Sequence, residues 1–311
     1  MTASGCVTVH GELEIVPAAT EAEAAQALKD FTLAYNKADK AYDPALDAGR
    51  VTGPLGAINQ AGLKARQIQS PDGNPRHQPL ELADAKFTVP KKAGWPRWFV
   101  ADTDSNRDED GGRLDTRWLL VFVRGGPNQL WEASHLSVLT NAQVPRFAKD
   151  KDGFAEPVVA DATDLALAPE DLSERYAAYL RDGEPESFAP GPHTSELRKT
   201  RAATARRPGR AVQYVDQRLD TGMYAPLGLA TEDGGAAVFF ATRQFEQQTV
   251  AKGVRLELNA DVRALMTGTA RTSLTKERVS SQFAQVSPKD ADKPLVAVLA
   301  QIQGLTAAKG G

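Results

Sequence analysis

Asp102, Asp104 and Asn106 stand at alternate positions, and their type and spacing suit the capture of a hard cation. Alternate side-chain oxygens converge on one ion in a calcium loop. Such a loop needs glycine at its sixth position and a bidentate glutamate at its twelfth, where this chain has Arg107 and Arg113. The stretch is therefore expected to be a solvated loop between strands, with Asp102, Asp104 and Asn106 as the remaining metal candidates. His10, His77, His135 and His193 show no metal-ligand spacing to one another or to Cys6. Strand alternation places His135 on one face with Trp131 and Ala133, so packing is its expected role.

No nucleophile elbow, P-loop or dinucleotide fingerprint is present. Arg124-Gly125-Gly126 and Asp233-Gly234-Gly235 lie between strands and read as turns. Tyr35, Tyr42, Tyr176 and Tyr179 recur at helical spacing, which is the pattern of core residues; buried at the mouth of a cone, such a tyrosine could serve acid–base chemistry. No catalytic residue and no cofactor is expected.

Cys6 is the single cysteine, so it cannot close an intramolecular disulfide. Small residues precede it in Ala3-Ser4-Gly5-Cys6, which is the pattern of a bacterial lipoprotein cleavage site with Cys6 as lipid carrier. The bland alternative is a free surface thiol near a chain terminus. No charged segment followed by an apolar segment precedes the body, so a signal peptide is absent from this numbering.

The elements that must carry these residues follow from composition and periodicity. The chain has 311 residues, 41% hydrophobic and 25% charged, an ordinary globular balance. Its net charge of −3 gives no field that would steer it to nucleic acid. No apolar run is long enough to span a bilayer as a helix. Leu28, Phe31, Tyr35, Ala38 and Tyr42 predict a helix from Glu21 to about Asp43, with a restart at Asp43-Pro44. Gly53-Pro54 opens a second helix, closed by the turn cluster from Ser70 to Pro75. Strands are predicted at Phe87–Val89, Trp98–Val100, Arg117–Arg124 and Leu130–Leu139, the last two as a hairpin.

After a loop-like stretch, Leu172, Tyr176, Tyr179 and Leu180 mark a third helix that stops at Gly183. Thr194–Arg207 is a fourth, halted by Pro208-Gly209. The basic surface Arg198, Lys199, Arg201, Arg206, Arg207 and Arg210 is expected to be solvated; its poor apolar face argues against deep membrane insertion. Strands return at Ala211–Arg218, Leu227–Thr231, Ala237–Phe245, Arg271–Val286 and Leu295–Gln303. Alternation from Val254 to Met266 predicts the clearest strand of all.

Both halves thus run helix, helix, strands. The expected class is α+β: residues 1–19 an N-terminal arm, 20–150 a first domain, 151–168 a linker and 169–311 a second, similar domain. By analogy, this order is that of the cone-like nuclear transport factor and steroid isomerase fold, each curved antiparallel sheet wrapping its own helices.

The segments Cys6-Val7-Thr8-Val9-His10-Gly11-Glu12, Val16-Pro17-Ala18, Tyr35-Asn36-Lys37-Ala38-Asp39-Lys40 and Thr52-Gly53-Pro54-Leu55 resemble lipoproteins of Streptomyces-type actinobacteria. That resemblance implies export, acylation of Cys6 and residence on the outer face of the cytoplasmic membrane, with membrane lipid as a partner. It supplies no catalytic residue. The functional expectation is a non-catalytic surface protein that binds an unknown protein or small molecule; the alternative is a cone-fold hydrolase or isomerase whose site forms no short motif.

Overall fold

Thr20 opens the first helix through a capping box. Its hydroxyl accepts from the Glu23 amide, and the Glu23 carboxylate accepts from the Thr20 amide. The computed structural model describes residues 14–109, 111–112, 115–293 and 295–311. The short strand β1 (Val16–Pro17) precedes helix α1 (Glu21–Ala41), which buries Ala24, Ala27, Leu28, Phe31 and Ala38. Tyr42 ends it in the left-handed region, and Asp43 caps a single 3-10 turn over Pro44–Leu46. Helix α2 (Gly53–Gln69) starts at a position only glycine fits. Gly53 has φ +54, and a Cβ there would lie 2.7 Å from the Met223 carbonyl oxygen.

The first half continues with β2 (Leu82–Thr88), β3 (Lys91–Lys92), β4 (Arg97–Ser105), β5 (Thr116–Arg124) and β6 (Glu132–Thr140). Strand β3 pairs with β1, and the other four form an antiparallel sheet in the order β2-β4-β5-β6. The period of two divides β4 and β5 between two cores. Phe99, Ala101, Leu120 and Phe122 pack under Ala24, Ala27, Leu28 and Phe31 of α1. Trp98, Val100, Leu119 and Val121 point to the opposite face.

The second half contains β7 (Pro157–Val158), α3 (Leu172–Asp182), α4 (Ser195–Thr204), β8 (Arg206–Arg207), β9 (Arg210–Leu219), β10 (Leu227–Ala230) and β11 (Ala236–Val250). It ends with α5 (Ala260–Leu265), β12 (Met266–Thr267), β13 (Ser273–Val286) and β14 (Val296–Gly310). Its strands build an eight-stranded sheet in the order β12-β14-β13-β11-β10-β7, with β9 along the far part of β11 and β8 on β9. All its pairings are antiparallel except β12 with β14.

Strand β11 is apolar on both faces for a reason the topology supplies. Ala236, Val238 and Phe240 pack under Leu172, Tyr176, Tyr179 and Leu180 of α3. Ala237 and Phe239 join Phe283, Leu229 and Ala300 against Trp98, Val100, Leu119, Val121 and Leu139 of the first sheet. The chain is thus α+β in four layers: helices, sheet, sheet, helices. Helix α2 also crosses to the second half, where it packs on β13, β14 and α5. Ile58 rests directly on Gly304 of β14; a Cβ there would fall 2.5 Å from the Ile58 side chain. The stretch between the halves is pinned by pairing as well, with β7 on β10 and a bridge from Phe147 to Thr231.

Three expectations are corrected. Val254–Met266 is not a strand: Asn259 caps α5 by accepting from the Val262 amide. Leu256, Leu258, Val262 and Met266 reach one cluster with Leu274 and Ala308 from a loop and a short helix. Their alternation thus marks a shared apolar destination, not an extended backbone. The fourth helix ends at Thr204, since Arg206 and Arg207 turn back through Pro208-Gly209 to pair with Ala211 and Arg210. His135 does not share a face with Trp131 and Ala133. A bulge in β6 sets Val121 opposite His135 and Phe122 opposite Ala133, which leaves Ser134 extra. That one residue flips His135 to the inter-sheet side, 6.1 Å from the Phe239 ring.

Candidate functional site

Helices α1 and α2 do not close completely over the first sheet. They leave a pocket of about 170 Å³ whose floor is Trp118 of β5 and Leu136 of β6. Its walls are Phe31 and Tyr35 on α1, and Leu55, Ile58, Asn59, Gly62 and Arg66 on α2. Spacing of three and four residues brings each set to one helix face. The parallel bridge of Val51 to Ala133 fixes where α2 begins.

The lining is apolar at depth and polar at its edge. Burial and the nearby Asp39 carboxylate push the Tyr35 hydroxyl above its ordinary range, so it stays protonated and able to donate. Asn59 is already engaged: its amide donates to Asp47 at 2.6 Å, and Gln60 donates to the other Asp47 oxygen at 2.6 Å. Burial raises Asp47, and the two amide donors partly offset it. This ties the turn after α1 to α2 and holds the pocket wall. One turn beyond Tyr35, Asp39 accepts from the Asn74 side-chain Nδ2 at 3.0 Å and meets His77 Nδ1 at 2.7 Å. Arg66 approaches the same carboxylate at 3.8 Å.

In the second half the two tyrosines at helical spacing are packed into the core. Tyr176 and Tyr179 pack with Phe188, and Tyr176 packs edge-on to Phe240. The Tyr176 hydroxyl donates to the His193 carbonyl, and burial pushes its pKa up. Of the four tyrosines singled out by spacing, Tyr35 alone lines the pocket. Tyr42 caps α1, with Arg66 over its ring at 5.9 Å.

Asp102 and Asp104 lie within strand β4 rather than in a loop, and Asn106 is in the turn that follows. Asp102 accepts from Arg117 Nε at 2.6 Å, and Arg117 also donates to Asp84 at 2.9 Å. Asn106 holds the neighbouring segment, accepting from the Glu81 amide and donating to the Pro79 carbonyl, both at 3.0 Å. Among the described residues, no three His, Cys, Asp or Glu side chains gather where they could hold an ion. Cys6, His10 and Arg113 lie outside the described residues. On the basic helix, Arg201 departs from the solvated expectation: it turns inward to pair with Asp216.

The pocket was not legible as a motif, because its walls come from residues 31 to 136 and only the pairing of strands brings them together. Gly62 was the available signal: a glycine inside an apolar helical stripe often marks space or close approach.

Comparison with known proteins covers nearly all of this fold. The model of the domain of unknown function DUF8094 matches residues 15–310. An uncharacterized lipoprotein of Streptomyces coelicolor is 55% identical over 311 residues, covering 100% of this chain and 92% of the relative. An uncharacterized lipoprotein of Streptomyces avermitilis is 53% identical with the same coverage. A second Streptomyces coelicolor lipoprotein is 26% identical, covering 94% of this chain and 87% of its own length. No helix among the described residues is long and apolar enough to cross a membrane. The chain therefore belongs to the DUF8094 family, an actinobacterial lipoprotein family of unknown function.

Proposed function

We propose that this protein is a lipid-tethered, non-catalytic binding protein on the outer face of the cytoplasmic membrane, and that it holds a small ligand in the pocket between α1, α2 and the first sheet. Tethering through Cys6 is supported by the residues before it and by the lipoprotein names of the Streptomyces relatives. In this reading each half is a cone in which helices cover a curved sheet, and residues 151–168 join two halves of one body. The second cone is plugged by its tyrosines, which leaves the first to bind.

The observation that carries the reading is the pocket itself. A cavity of about 150 Å³ is enough to admit a benzene ring. The ligand is thus a ring-sized apolar group with a polar edge directed to Tyr35 and Arg66. Gly62 provides the test, because a Cβ built there meets nothing within 4 Å. Gly62→Ala is expected to stabilise the protein by about 0.5–1 kcal/mol through helix propensity. Gly62→Leu is expected to fill the pocket without loss of Tm and to abolish binding of 4-fluorophenol followed by fluorine NMR. Unchanged binding by the leucine variant, or no binding by the parent protein, would contradict the reading.

A second reading, a hydrolase or isomerase, is favoured by one contact, the His77–Asp39 pair a turn from Tyr35. The same aspartate also holds Asn74, and the Asn74 amide bonds the Lys40 carbonyl. That arrangement clamps the 70–80 segment onto α1, and it supports a structural role for His77.

A further inference from the structure

At the end of the first sheet nearest the start of α1, two arginines stand directly opposite each other. Arg97 of β4 and Arg124 of β5 are cross-strand partners on the helix-side face, one step beyond the stacked pair Phe99 and Phe122. Like charges in this relation destabilise a sheet. Tryptophans hold both guanidinium groups in place. Arg97 lies over Trp95 at 4.7 Å; Arg124 lies over Trp95 at 5.2 Å and over Trp131 at 4.7 Å.

Three donors of this cluster are buried and idle. Arg97 Nε, Arg124 Nε and Trp131 Nε1 are out of solvent and have no hydrogen-bond partner among the described residues. Trp131 is 6% exposed, so its indole N–H has little recourse to water. A buried donor left idle carries the full cost of its desolvation. Glu23 reaches Arg124 only at 3.6 Å, and its other oxygen is taken by the Thr20 amide at 2.9 Å. Among the described residues, one glutamate against two arginines leaves the cluster cationic.

We propose that Arg97, Arg124 and Trp131 Nε1 form an anion site that takes a phosphate group. Planar guanidinium forks match the oxygens of phosphate, and two forks side by side suit a group with several oxygens better than a single carboxylate does. The site is separate from the pocket over Trp118 and stands whether or not that pocket binds. It lies beside Thr20 and Glu23, where the chain enters the fold from the Cys6 side. Residues 6 to 16 can span at most about 33–36 Å when extended. A phospholipid headgroup is therefore within reach of a tethered protein, and free phosphate presents the same chemistry.

The test uses the full chain and its own tryptophan fluorescence. Sodium phosphate is titrated against sodium chloride at matched ionic strength, and vesicles of phosphatidylglycerol or of phosphatidylcholine are added in a sedimentation assay. A saturable response to phosphate, or vesicle binding, is expected to weaken about tenfold or more in Arg97→Gln and in Arg124→Gln. Glu23→Gln keeps the capping-box hydrogen bonds, removes the competing charge and is expected to tighten binding. It tests the site in the opposite direction even if an arginine variant fails to fold. Binding of free phosphate alone identifies a soluble anion, and binding of vesicles alone identifies the headgroup. Equal responses to phosphate and chloride with no vesicle binding, or affinities unmoved by all three variants, would overturn the proposal.

Discussion

His135→Leu is expected to flatten the acid side of the stability–pH curve. The imidazole is 0% exposed, and burial drops its pKa from 6.5 to about 3. Ser134 Oγ lies 3.0 Å from Nδ1, while Nε2 has no partner among the described residues. An unfolded chain takes up the proton near pH 6.5, but the folded chain resists until near pH 3. Across that window the unfolded state binds more protons, so stability falls as pH falls. The loss expected from this group is on the order of 5 kcal/mol when the window has been crossed. Leucine fits the neighbourhood of Phe239, and Ser134 keeps its bond to the Val121 carbonyl. Urea unfolding of parent and variant between about pH 7 and about pH 4 checks this. Parallel curves for the two proteins would show that His135 is not the group responsible.

Arg201→Met is expected to cost about 3–5 kcal/mol, because it strands a buried carboxylate. Arg201 of α4 donates to both oxygens of Asp216 on β9, at 2.6 and 3.1 Å, with side-chain exposures of 10% and 4%. The guanidinium also stacks on Tyr214 at 4.9 Å. The companion change Asp216→Leu in the same chain is expected to recover most of the loss, since replacing a whole buried pair with apolar groups is often close to neutral. Denaturation midpoints of the two single variants and the double variant measure the coupling. If the double variant is as unstable as the sum of the singles, the pair does not act as a unit.

Local backbone chemistry carried the sequence reading where it succeeded. Asp43-Pro44, Gly53-Pro54 and Gly183 each end or start a helix by constraints internal to a few residues. The two-sided burial of β5 was legible too, since Trp118 to Val123 is apolar without a break. Long-range relations were not legible. The bulge at Ser134 has no residue signature and reverses which face His135 occupies. Val254–Met266 alternates, yet its apolar residues reach Leu274 and Ala308 without forming a strand. Arg97 and Arg124 are far apart in sequence and become neighbours only through the register of β4 on β5. The pairing of Arg201 with Asp216 was hidden in a helix whose basic residues read as a solvated surface.

The proposed placement of this protein outside the cell rests on Cys6, and the mass of the N-terminal peptide from protein made in its native host tests that directly. Mass spectrometry of the membrane fraction is predicted to find a peptide that begins at Cys6 and carries a diacylglycerol thioether, with Cys6→Ser releasing the protein from the membrane. Recovery of that peptide with a bare thiol, from protein in the cytosol, would contradict the account.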